Sequence, residues 1–147
     1  MSYTIRTLPA PVATTYQDIN GPRQRLTRPF VERPASFVEM IYSEGDVELW
    51  RDHEGTAKLQ QVKTQLPGFI PSLIDLVREA AKEKIEEKWP LWAQNNCALG
   101  IYNSDTIDQC KADITMIITA SNTAEDAIAN AETLEAVIAV IPVWPEI

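Results

Sequence analysis

The feature that most constrains this chain is a spaced row of apolar and small residues near its end. Ile107, Cys110, Ile114, Ile117, Ser121, Ala124, Ile128 and Ala131 fall alternately three and four apart. That spacing lines one side of an α-helix, whereas a strand would alternate at every second residue. It predicts one long helix starting at Ser104 or Asp105, both good caps, with further acid in the first turn. Isoleucine at both positions of such a heptad stripe favours more than two helices around an axis. The eight residues are therefore the candidate oligomer interface, and a trimer is the preferred homo-oligomer. Each isoleucine buried there would contribute about 1.5–3 kcal/mol. The alternative is that the stripe packs inside one chain, against a helix at residues 71–88. Ser121-Asn122-Thr123 is the weak spot, where the helix could stop and restart. Past Ala131 the spacing slips to Leu134, Val137, Ile138 and Ile141, and Pro142 and Pro145 forbid further helix.

Proline shapes the other end. Five of the ten prolines fall in the first 34 residues, at Pro9, Pro11, Pro22, Pro29 and Pro34. Each lacks an amide donor and biases its predecessor toward extended backbone. Residues 1–35 therefore read as an extended arm with edge-strand pieces. Phe37 to Tyr42 is an apolar strand, Ser43-Glu44-Gly45-Asp46 a turn with Gly45 free to take positive φ, and Val47 to Arg51 a returning strand. Residues 53–66 fit either a short helix or a third strand. Leu66-Pro67-Gly68-Phe69-Ile70-Pro71 breaks what precedes it, and Pro71 suits a first helical turn. Leu73, Val77, Ala80, Ala81 and Ile85 then mark a helix over 71–88. The expected fold class is α+β: an attachment region at 1–66 with a proline-rich extended arm and β-hairpin, and a helical oligomerisation domain at 67–147 with a long coiled-coil-like helix.

Between the two helices lies WPLWAQNNCALGIY, residues 89–102. Pro90 removes a helical hydrogen bond, so the first helix should end or kink there. Trp89 and Trp92, three apart, would share a face if helix resumes. Gln94, Asn95 and Asn96 can bond backbone freed by the break. Gly100 fits a C-terminal cap, with Ile101 folding back on the helix before Tyr102. Trp89, Pro90, Trp92, Asn95, Gly100 and Tyr102 thus read as a helix joint, with an aromatic ligand-binding patch as the functional alternative.

The pieces WPLWAQNNCALGIY, ITASNTAEDAIANAETLEAV and VWPEI, over roughly residues 85–147, resemble the C-terminal helical region of small tail proteins of tailed bacteriophages. The resemblance implies a virion component near the tail fibre or baseplate, or a non-virion fibre-assembly factor. It implies other phage tail proteins as partners and supplies no catalytic residue. Residues 1–66 lie outside it.

The formal net charge is −8, unevenly distributed. Residues 1–66 carry eight Lys/Arg and eight Asp/Glu; residues 67–147 carry five and thirteen. An acidic helical half argues against a nucleic-acid surface. Arg23, Arg25, Arg28 and Arg33 are the local exception: they are the candidate attachment site for an acidic partner or another copy's acidic half, and the alternative is a solvated arm. No apolar run approaches the ~18 residues of a membrane span, and the N-terminus lacks a signal-peptide order. A virion protein made in the host cytoplasm is the expectation.

Chemistry is weakly signalled. Cys97 and Cys110 read as buried reduced thiols, and a single histidine leaves no Cys/His zinc set. His53, in RDHEG, is expected to be an ordinary surface residue. Neighbouring carboxylates such as Glu86-Glu87 and Glu125-Asp126 diverge by about 100° on a helix and cannot converge on a substrate. With five glycines, no phosphate or dinucleotide loop is present. No cofactor, metal or enzymatic activity is expected.

Overall fold

A computed structural model describes residues 2–147. The fold is α+β, and the chain divides into two units, Met1–Phe69 and Ile70–Ile147.

The first unit is built on a three-stranded antiparallel sheet. Strand β1 is Ser2–Thr7, β2 Val12–Asp18, β3 Gly21–Thr27, β4 Phe37–Glu44 and β5 Val47–Asp52. The sheet order is β1-β5-β4, and β2 pairs only with β3 in a separate two-stranded ribbon. The β4–β5 hairpin turns at Gly45, whose φ is +57°. Two bulges in β4 shift its register against β5. Because β5 is central, both of its faces are covered: Leu49 is 0% and Trp50 1% exposed. Alternation sets Leu49 beside Ile5 and Tyr42, its cross-strand neighbours. The Phe69 ring closes that face, 5.3 Å from Tyr42. The ambiguous segment forms helix α1, Leu59–Gln65, with Leu59 and Val62 buried, and Leu66 buried after it.

Within residues 1–35, expected as an extended arm with edge-strand pieces, three strands form: β1 on the edge of the sheet, and β2 and β3 in the ribbon. Ser2–Thr7 runs antiparallel to β5 from Ser2↔Asp52 to Thr7↔Val47. The prolines instead mark the joints: Pro9 and Pro11 separate β1 from β2, and Pro29 and Pro34 lie in the connection to β4. Pro22 sits near the start of β3, where a missing amide costs least.

The second unit holds four helices: α2 Phe69–Lys88, which starts at the last residue of the first unit, α3 Leu91–Ala98, α4 Ser104–Asn130 and α5 Leu134–Ile138. The N-cap of α4 is Asn103 rather than Ser104 or Asp105; its Oδ1 accepts from the Thr106 N–H at 2.8 Å. The helix does not restart at Ser121. It runs through to Asn130, and the chain turns extended at Ala131, where the stripe slips. Thr133 then caps α5 by accepting from the Ala136 N–H at 3.1 Å.

The stripe of α4 is packed within the chain. Cys110, Ile117, Ser121, Ala124 and Ile128 are buried, Ile117 completely, while Ile107, Ile114 and Ala131 are half-buried. Cys110 clusters with Trp89, Ala93 and Cys97, and Ile85, Tyr102, Ile107 and Ile114 pack around them. Arg78 of α2 pairs with Glu125 of α4 at 2.5 Å. The expected oligomer interface is therefore spent on the chain's own helices. An amphipathic stripe buries itself against the nearest apolar partner, and here α2 and α3 supply one.

Candidate interaction surfaces

The joint at residues 89–102 is made by three local events. Pro90 takes an extended ψ of 157° and precedes α3, so the helical path is interrupted between Lys88 and Leu91. The freed carbonyl of Trp89 accepts from Gln94 Nε2 at 2.7 Å. At the far end Gly100 adopts φ +71°. The Gly100 N–H donates to Cys97 O and the Ile101 N–H to Asn96 O, which is the double closure of a Schellman cap. Ile101 does not fold back; it is 64% exposed. Tyr102 does so instead, its hydroxyl accepting from Asn96 Nδ2 at 3.3 Å. Asn95 is exposed, and its carbonyl accepts from the Leu99 N–H.

Nor do the two tryptophans share a face. The break at Pro90 resets the helical phase, so Trp89 is 9% and Trp92 63% exposed. Trp89 donates its indole N–H to Asp113 Oδ2 at 2.9 Å. Asp113 is 2% exposed, and also accepts from Lys88 Nζ at 2.7 Å and Gln109 Nε2 at 2.7 Å. Burial pushes its pKa up, but these three donors and the Lys88 charge outweigh burial and hold it below the ordinary value. Asp113 lies three residues after Cys110 and four before Ile117, so it shares the stripe. Its polarity hid it from a search for apolar residues. Cys97 and Cys110 are free, buried thiols, and burial, then the Cys97 neighbour, pushes Cys110 up to about 11. The Cys110 thiol therefore stays protonated at neutral pH.

Around α3 a row of large apolar side chains stays in water. Leu91, Trp92, Leu99 and Ile101 are between 63% and 75% exposed. Beside them a cavity of about 460 Å³ opens between α2, α3 and α4, lined by Ala81, Ile85, Leu91, Gln94, Ile118 and Ser121 among others.

In the first unit the four candidate arginines separate into two pairs. Arg28 is engaged by Asp46, and Arg33 by Glu48 at 3.5 Å while lying 4.8 Å over the Phe37 ring. Arg23 and Arg25 lie on the β2–β3 ribbon. Arg23 meets Asp18 at 2.6 Å, and Arg25 stacks 5.2 Å from the Tyr16 ring. The arginine that sequence reasoning missed is Arg6. It lies 4.7 Å over the Trp50 ring, 3.6 Å from Glu48, and donates to the Val31 and Glu32 carbonyls. With Arg28 and Arg33 it lines a cavity of about 610 Å³ under residues 28–33. Glu48, its partner directly across the β1–β5 pairing, is not legible from sequence, because the two lie 42 residues apart. On the same face Asp52 is held at about 2 by the Glu54 N–H, then by the Trp50 indole, with Ser36 and Thr4 adding hydrogen bonds.

His53 is exposed just beyond β5. Among the described residues, no group of three or more His, Cys, Asp or Glu side chains is placed to hold a metal ion. Also among them, no helix is long and apolar enough to cross a membrane. No protein-family model, curated protein or solved structure shows a significant match to this chain.

Proposed function

We propose that this chain is a structural virion protein of a bacteriophage tail, joining or forming part of the fibre or baseplate through protein–protein contacts, with no substrate turned over. The observation that carries the contact reading is the exposure of Leu91, Trp92, Leu99 and Ile101 at the two ends of α3. Large apolar side chains exposed at both ends of α3 offer apolar area for a partner to cover. The acidity of residues 67–147 suits protein rather than nucleic-acid neighbours. The tail assignment rests on the resemblance of residues 85–147 described above. The test is the protein composition of purified particles. Stoichiometric presence of the chain supports the reading, and its absence from intact particles overturns it.

A second reading, a soluble factor that helps assemble the fibre and then leaves, is favoured by one observation. Most of the stripe that would have built a coiled-coil trimer, Cys110, Ile117, Ser121, Ala124 and Ile128, is already buried within a single chain. A transient factor gains from a surface that is not permanently sealed by its own oligomer. It predicts binding to the fibre during assembly and loss from the finished particle. Under either reading a His53→Ala protein keeps full function in a particle-assembly assay.

A further inference from the structure

The β2–β3 ribbon poses a physical problem. Its strands hydrogen-bond only to each other. Every residue of Val12–Asp18 and Gly21–Thr27 is exposed or half-exposed. Two strands alone are marginal in water. The ribbon nonetheless carries apolar side chains: Leu26 is 73% exposed, Ile19 at its tip 95%, Val12 54% and Tyr16 42%. One face also carries two arginines against one acid, Asp18, which forms an ion pair with Arg23. The register pairs Tyr16 with Arg23 and Thr14 with Arg25, so both arginines and Tyr16 stand on the same side.

A matching surface exists on the helical unit. Asp75, Glu79 and Glu83 recur every four residues along α2, and all three are exposed. Among the described residues neither Glu79 nor Glu83 forms an ion pair. Carboxylates four apart on a helix repel one another, and a cation laid between them relieves that repulsion. Their separation along the axis is about 6 Å. Two residues along a strand, the Arg23–Arg25 interval, span about 6.7 Å. Beside this ridge runs an apolar groove of about 420 Å³, lined by Leu73, Leu76, Ala80, Val137 and Ile141. Leu76 is 66% and Ile141 80% exposed.

We infer that the β2–β3 ribbon docks on α2 of a second copy of this chain, Arg23 and Arg25 meeting Glu79 and Glu83 while Val12 and Tyr16, on the same face of the ribbon, enter the neighbouring groove. The two repeats match in spacing and oppose in charge. The contact joins unlike surfaces, so it either closes reciprocally into a dimer or runs on as a ring or filament. The inference rests on the protein-contact reading above but not on residence in the particle. A failure here would leave particle incorporation untouched.

Native mass and sedimentation of the full chain test it. Self-association is expected at low salt and should weaken as salt screens the exposed charges. Arg23→Glu with Arg25→Glu should weaken it by at least about tenfold, and Glu79→Arg with Glu83→Arg should do the same. Combining all four reversals should restore it. Circular dichroism verifies that each variant is folded, and the α2 variant gives the answer if the ribbon variant does not fold. A chain that is monomeric at all concentrations and salts overturns the inference. So does association that survives either pair of reversals, or a fourfold variant that stays dissociated.

Discussion

Trp89 and Trp92 are identical in chemistry and three positions apart, yet the chain spends one on its interior and leaves the other in water. Pro90 is the cause, since it resets the helical phase between them. Trp89→Ala should destabilise the helical unit by about 3–5 kcal/mol, the usual loss for a buried aromatic. Trp92→Ala should change stability by less than about 0.5 kcal/mol, as for other exposed positions. Denaturant midpoints of the two variants read the difference, and equal midpoints would contradict the split. Asp113 carries a second residue-scale consequence. Its folded pKa lies below the unfolded one, so its contribution is complete above the ordinary carboxylate value, ~3.9. It fades as pH falls through the lower folded value. Wild type should therefore lose stability on acidification more steeply than Asp113→Asn. At neutral pH the Asn variant should already be weaker, because Lys88 and the Trp89 indole lose a charged acceptor. Denaturation followed from neutral to acid pH checks both parts. Asp113 was legible only as a polar interruption of the stripe. Its burial depends on donors from Lys88, the last residue of α2, and Trp89 just beyond it, more than twenty residues upstream.

At the scale of elements, α4 and the β2–β3 ribbon make opposite predictions. The stripe of α4 faces its own chain, so Ile117→Asp places an unpaired charge at a fully buried site. The expected result is loss of helical circular dichroism at ordinary temperature. A folded chain of reduced mass would instead mean that the stripe is intermolecular. The ribbon contributes little to its own unit's core. Replacing Val12–Thr27 by a short flexible linker should leave the thermal midpoint of the sheet within a few degrees of wild type. A large fall would show that the ribbon braces the sheet. The element boundaries that the sequence announced are those set by local chemistry. The turn at Gly45, the break at Pro90 and the cap at Gly100 each need only a few neighbouring residues. The stop at Ala131 was likewise visible as a slip in the stripe, though Thr133 as the cap of α5 was not singled out.

For the molecule as a whole, the division between Phe69 and Ile70 gives each unit a core of its own. Residues 1–69 and 70–147, produced separately, should each fold and melt cooperatively. Calorimetry of each fragment checks this, and a non-cooperative fragment would show that its core is incomplete. The sequence by itself determined the helical character of the second half, the β4–β5 hairpin, the joint at Pro90 and the acidic balance of residues 67–147. These follow from backbone restriction and periodicity, which act over a few residues and need no distant partner. Only the tertiary structure decided that the edge-strand piece Ser2–Thr7 lies on β5, because that partner is forty to fifty residues away in sequence. It also decided where the stripe points. An apolar face is indifferent to whether its cover comes from the same chain or another, and α2 and α3, tethered to α4 by a short connection, are always the nearer cover.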